Sequence, residues 1–128
     1  MTRAPSLKQV IMFHAAAMAE HGGEEGLRDE GLLDAAISAP FQTWGGQDLF
    51  PSLIEKAARL TFGILTNHPF VDGNKRTAEI ALLYFLRINS INIEYTQTEI
   101  YELIMAVASG NKSHEDIVSW IISHQSEK

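Results

Sequence analysis

The 128-residue chain has no cysteine, which excludes disulfides, thiolate zinc sites and cysteine nucleophiles. It has no apolar run near the roughly 20 residues that cross a bilayer, and no secretory h-region near its start. The expectation is a soluble, cytoplasmic protein that does not contact membranes. Basic residues are outnumbered, ten Lys and Arg against sixteen Asp and Glu, for a net charge of −6. Such a balance excludes gripping bare DNA through overall charge. No internal repeat, low-complexity tract or linker breaks the sequence. What is present is ordinary globular composition, 45% hydrophobic and 20% charged. The length suits one hydrophobic core, so a single domain over residues 1–128 is expected.

Helical periodicity dominates. Leu7, Val10, Ile11, His14 and Met18 share a face, with Ser6 as cap and Gly22-Gly23 as the stop. A short helix opens at Asp29 and ends before Pro40. Residues 38–51 read as irregular, and Pro51 suits the first turn of a helix from Ser52 to about Asn67. The stretch from about Lys75 to Asn89 is apolar nearly all round and is expected at the centre of the fold. Ile91, Ile93 and Tyr95 alternate as a short strand or extended link. One further helix carries Ile100, Leu103, Ile104 and Val107; another opens at Ser113-His114-Glu115-Asp116. The class is all-α, a bundle of about six helices, with a hairpin-like piece near residues 41–50.

Chemistry concentrates between the two most apolar helices, in His68-Pro69-Phe70-Val71-Asp72-Gly73-Asn74-Lys75-Arg76-Thr77. These residues precede or open a buried helix, whose N-terminus offers unpaired N–H groups and a positive dipole end to an anion. Gly73 lets backbone approach a ligand, Lys75 and Arg76 suit phosphate, and Asp72 is a hard oxygen ligand for Mg²⁺. Histidine exchanges protons near neutral pH, which makes His68 a candidate general base. Zinc binding by His68 and Asp72 is disfavoured, because Pro69 and Gly73 interrupt the helix that their spacing would need. A Walker loop is excluded, since no strand precedes the segment and the upstream glycine is missing. Composition alone leaves open an ordinary polar turn capped by Asp72.

His68-Pro69-Phe70-Val71-Asp72-Gly73-Asn74-Lys75-Arg76 closely resembles the signature of the Fic/Doc superfamily, His-Pro-Phe-x-Asp/Glu-Gly-Asn-Gly/Lys-Arg. Upstream, His21-Gly22-Gly23, Gly26 to Leu33 and Pro40 to Pro51 are similar to the death-on-curing branch. The resemblance implies a compact Fic/Doc helical bundle, with the motif loop between two central helices and a flap before it. It implies Mg-ATP chemistry in which His68 deprotonates a target hydroxyl, Phe70 anchors the loop and Asp72 coordinates Mg²⁺. Gly73, Asn74, Lys75 and Arg76 would hold nucleotide phosphates. Lys75 stands where adenylyl-transferring members have glycine, and Glu79 where they have a second arginine. Both departures resemble the Doc branch, which implies a toxin that phosphorylates Thr or Ser of a translation factor, elongation factor Tu being the family's known target. Adenylylation is the alternative reading, and a catalytically silent binding module a third.

Trp44 and Phe50 flank Gly45-Gly46 in the expected flap, which either pairs with an extended target segment or plugs the core. His14 is expected in the core, and His21, His114 and His124 in solvent. Arg28 and Asp29 read as a helix-start pair with a cap, a buried role beside the site being the alternative. Some family members carry an inhibitory Ser/Thr-x-x-x-Glu-Gly/Asn helix. Ser90 to Glu94 and Ser123 to Glu127 have its spacing but not its continuation, so inhibition is expected in trans, from a cognate antitoxin.

Overall fold

The computed structural model describes residues 2–24 and 26–126; Glu127 of the second inhibitory-type spacing lies outside them. Among the described residues there are six α-helices: α1 Leu7–His21, α2 Glu30–Ser38, α3 Leu53–Asn67, α4 Asn74–Ile88, α5 Gln97–Ala108 and α6 His114–His124. None is long and apolar enough to cross a membrane. A two-residue-strand hairpin, β1 Thr43–Trp44 with β2 Gln47–Asp48, lies between α2 and α3.

The helix starts follow the sequence closely. Ser6 with Gln9, Ser52 with Glu55 and Thr96 with Glu99 form capping boxes that satisfy the N–H groups a first turn leaves free. At α6, Asp116 accepts from the Ser113 N–H at 2.8 Å. Asp29 caps α2 by accepting from Leu32 N–H at 3.0 Å. The chain then turns through a 3₁₀ segment, Ala39–Phe41, where Pro40 needs no N–H partner.

The centre of the fold is α3 rather than α4. Ala57, Ala58, Leu60 and Ile64 of α3 meet Ala78, Ala81, Leu82 and Phe85 of α4, all essentially without solvent exposure. α4 is buried along one side only, because Lys75, Arg76 and Arg87 give it a wet face. α2 approaches α3 at Gly63, where an added Cβ would lie 3.0 Å from Ala36 Cβ. The alternating Ile91–Tyr95 stretch is extended, as its pattern implies: Ile93 bridges Gln125, and Glu94 N–H donates to His124 O at 2.8 Å.

The hairpin is fastened by one buried cation. Lys56 Nζ lies 3.2 Å from Asp48 Oδ2, donates to the Phe50 carbonyl and sits over the Phe41 ring. Gly45 and Gly46 both take positive φ, 58° and 80°, as a tight two-residue turn demands. Trp44 is 80% exposed, so it is no plug over the core.

Two histidines depart from expectation. His124 is half-buried, stacked on Trp120 at 4.0 Å and 3.4 Å from Glu99. His114 is buried against the edges of Phe50 and Phe62. Burial pushes its pKa below the ordinary histidine value; Glu115 and Glu55 pull it up, and the Arg59 guanidinium adds to the lowering. The unfolded chain therefore binds this proton more readily, and stability rises with pH through that window. What the neutral ring contributes is present above about pH 6.5 and is lost as pH falls below it. Urea midpoints measured from pH 7 down to pH 5 should fall for the wild type and fall less steeply for His114→Gln. An unchanged slope in the variant would refute this account.

Candidate active site

The loop between α3 and α4 is built from its buried residues outward. Phe70 is 2% exposed, and its ring stacks on His14 of α1 with centroids 3.9 Å apart and planes within 5°. Asn74 locks the backbone at the same residue: Phe70 N–H donates to Asn74 Oδ1, and Asn74 Nδ2 donates to Phe70 O, both at 3.0 Å. That pairing fixes the amide orientation. Its second N–H reaches His68 Nδ1 at 3.2 Å, so the neutral ring held there carries its proton on Nε2.

Residues 26–29 run antiparallel to the loop. Leu27 bridges Phe70, Arg28 and Asp29 N–H groups both donate to Pro69 O, and Val71 N–H donates to Gly26 O. The Arg28 side chain caps α3 from outside, its Nε donating to His68 O at 2.7 Å and its Nη2 to Asn67 O at 2.8 Å. The second sequence reading of Arg28, a buried role beside the site, is met in place but not in burial: the side chain lies against the loop yet is exposed, and nothing in the local pattern announces that it reaches the last carbonyls of another helix. His68 is the C-cap of α3 in the left-handed region, φ 48° and ψ 57°. For a non-glycine residue that conformation costs roughly 1–2 kcal/mol, and the surrounding bonds hold it.

Asp72 is fixed from both ends. His14 Nε2 donates to its carbonyl at 2.7 Å. Its carboxylate accepts from Gly73 N–H at 2.8 Å and from Glu24 N–H at 3.3 Å, and remains exposed. Among the described residues no three His, Asp or Glu side chains converge as a metal cage. A cation on Asp72 would thus complete its shell with water and ligand oxygens, the habit of Mg²⁺, and the exposed carboxylate fits that use.

Gly73 precedes α4 with φ 78° and has no side chain to cap it. Thr77 N–H makes the bond to Gly73 O, leaving the N–H groups of Asn74, Lys75 and Arg76 ahead of the helix ladder. The Asn74 side chain is buried and turned into the loop, so only its backbone N–H is positioned for a phosphate. Lys75 and Arg76 are exposed. His68, Asp72, Gly73, Asn74, Lys75, Arg76 and Glu79 line one cleft of about 390 Å³, with Met18 and His21 from α1 and Gln97, Tyr101, Ile104 and Met105 from α5. The α5 wall was missed from sequence because its residues read only as helix periodicity. Trp44, Gly45 and Gly46 do not line this cleft; they form the exposed hairpin tip.

A compact helical bundle with this loop at the mouth of its cleft defines a class. The chain belongs to the Fic/Doc family: residues 4–86 match the model of the Fic/DOC family. Its similarity is to Doc proteins in particular. The Toxin Doc of Mycolicibacterium smegmatis is 50% identical over 72 residues, 56% of this chain, and the chain spans only 55% of that relative. The Protein kinase doc of Escherichia phage P1 is 31% identical over 108 residues, 84% of each chain.

Gly73 carries a prediction. A Cβ there would run into Met18 Cε and lie 3.1 Å from Met18 Sδ, besides forcing a left-handed backbone on alanine. Gly73→Ala should cost roughly 1–2 kcal/mol for the backbone, plus the displacement of Met18. In a Met18→Ala background the same substitution should cost measurably less, by denaturant titration. Equal costs in both backgrounds would show that Met18 does not press on the loop.

Proposed function

We propose that this chain is a Doc-type toxin that transfers the γ-phosphate of Mg-ATP to a Thr or Ser hydroxyl of a translation factor, elongation factor Tu being the family-implied target. The observation that supports this best is the single cleft in which His68, Asp72, Lys75, Arg76 and the open N-terminus of α4 converge. Phosphoryl transfer asks mainly for positioning and charge neutralisation, and this set supplies both without a covalent intermediate. Mg²⁺ bound at Asp72 would neutralise phosphate charge. The α4 N–H groups with Lys75 and Arg76 orient the triphosphate. His68 accepts the proton of the acceptor hydroxyl; the hydroxyl oxygen bonds to the γ-phosphorus, the bond from that phosphorus to the β–γ bridging oxygen breaks, and ADP leaves.

The proton on Nε2 in the resting ring bears on this assignment. Acting as a base through Nε2 requires the proton to sit on Nδ1 instead, which breaks the contact with Asn74. One hydrogen bond contributes about 0.5–1.5 kcal/mol, and Asn74 keeps both of its bonds to Phe70. The switch is small beside the barrier reduction general-base catalysis gives, of order 10²–10⁴ in rate. That cost is compatible with the base role proposed for His68.

Lys75 and Glu79 favour phosphate over adenylyl transfer. A lysine fills the space where glycine would admit an α-phosphate, and Glu79, held by Gln97 at 3.2 Å, repels phosphates placed further along α4. Inhibition in trans by an antitoxin belongs to the same reading, since Tyr95 follows Ser90–Glu94 and Lys128 follows Ser123–Glu127 where the inhibitory motif has Gly or Asn. The decisive measurement is the intact mass of the modified target: an increment of about 80 Da marks phosphoryl transfer and about 329 Da marks AMP transfer. The expected result is the smaller increment, with label passing from γ-labelled and not α-labelled ATP. His68→Ala should abolish transfer and leave Mg-ATP binding nearly intact, whereas Asp72→Ala should weaken metal-dependent binding as well. The AMP increment would replace kinase by adenylyltransferase, and Mg-ATP binding without any transfer would point to a silent module.

A further inference from the structure

Phosphate and acceptor chemistry leave the end of α1 without a role, yet that end is built around Asp72. His14 Nε2 donates to the Asp72 carbonyl at 2.7 Å, and Glu24 N–H donates to Asp72 Oδ2 at 3.3 Å. Between them lies a close approach rather than a bond. A Cβ on Gly23 would lie 2.8 Å from Asp72 Oδ2 and 2.9 Å from Met18 Sδ. Non-bonded heavy atoms settle at roughly 3.5–4.0 Å. Only a residue without a side chain therefore lets this turn lie against the carboxylate.

The two glycines after α1 have different causes. Gly22 ends the helix, its N–H donating to Met18 O at 2.9 Å, and a Cβ there would meet nothing within 4 Å. Gly23 makes room for Asp72. The carboxylate consequently stands between two backbone donors, Gly73 N–H on Oδ1 from the motif loop and Glu24 N–H on Oδ2 from the turn. A carboxylate has about four acceptor sites, so both oxygens keep lone pairs, and the group stays exposed at the cleft. Groups that orient a metal ligand matter for affinity nearly as much as the ligand itself.

We propose that Gly23 is a positioning residue of the metal site: together with the Glu24 N–H, it fixes the Asp72 carboxylate in the orientation that receives a divalent cation. The inference rests on the Mg²⁺ role given to Asp72 above and extends that site to a turn outside the motif. A side chain at Gly23 need not unfold the protein. The groups it would strike are the ends of flexible side chains, the Met18 thioether and the Asp72 carboxylate. The fold yields by swinging them aside, and one of them is the ligand.

The test is Mn²⁺ titration of the isotope-labelled full chain, read by NMR as paramagnetic broadening of the Gly73 amide signal. Wild type, Gly22→Ala, Gly23→Ala and Asp72→Asn are compared, and denaturant titration gives the stability cost of each separately. Disturbing a group that orients a metal ligand costs about 10–100-fold in affinity, so Gly23→Ala should need at least about tenfold more Mn²⁺. Gly22→Ala adds left-handed backbone strain without touching Asp72, and should stay within about twofold of wild type. Gly23→Ala combined with Met18→Ala relieves the packing clash and keeps the one with the carboxylate, so it should remain weak. That double variant also reads the carboxylate alone should the single one fold poorly. Wild-type affinity in Gly23→Ala would overturn the inference and leave the transfer reading intact. So would equal weakening by both single alanines, or recovery in the double variant. A wild type whose Gly73 signal is not broadened, or is broadened equally in Asp72→Asn, would overturn the metal role of Asp72 and this inference with it.

Discussion

Everything at the cleft depends on one buried anchor, the Phe70 backbone held by the Asn74 amide while the Phe70 ring lies on His14. The pairing converts a six-residue connection between α3 and α4 into a fixed object. Loops ordinarily supply chemistry at the cost of mobility. Here the two residues that face solvent with reactive groups, His68 and Asp72, sit two positions either side of a side chain at 2% exposure. Asn74 also belongs to α4, so the loop and the open helix N-terminus move as one body.

The rest of the molecule supports that anchor from three sides. α1 presses Met18 against Gly73 and holds the Asp72 carbonyl through His14. The 26–29 segment pairs with residues 69–71, and Arg28 takes up the last carbonyls of α3. α3 itself, buried along most of its length, fixes where the loop begins. The upstream stretch Gly26 to Leu33, which resembled the death-on-curing branch in sequence, thereby acquires a physical reason. It is the edge against which the motif loop is laid.

Legibility followed the range of the interactions. Helix starts were readable at Ser6, Asp29, Ser52 and Ser113, because a cap is decided within four residues, while the Thr96–Glu99 box of α5 went unread. The loop was readable because its reactive groups lie within nine consecutive positions. The centre of the fold was misjudged in favour of α4, whose composition hides the fact that Lys75, Arg76 and Arg87 share its outer side. Asn74 was read as a phosphate ligand because the family resemblance implies it; the burial of its side chain follows from the position of Phe70, four residues back. His114 was given to solvent because a capping-type start usually is exposed, yet Phe50 and Phe62 come from distant chain to cover it. The α5 wall joins the site only through tertiary packing, and a single sequence carries no local sign of it.

The energetics explain why strain collects at His68. A left-handed non-glycine residue costs roughly 1–2 kcal/mol, and a tautomer switch would add about one hydrogen bond, 0.5–1.5 kcal/mol. Against that stand the bonds that hold residues 67–74: two to the Asn74 amide, two from Arg28, two to the Pro69 carbonyl and one from His14. At about 1 kcal/mol each, and with a buried aromatic ring worth a few more, these exceed the strain severalfold. None of the seven involves the His68 ring. The one hydrogen bond to the imidazole, from Asn74 Nδ2 at 3.2 Å, can therefore break while the backbone beneath stays fixed, the rigid support that the base role proposed for His68 would need.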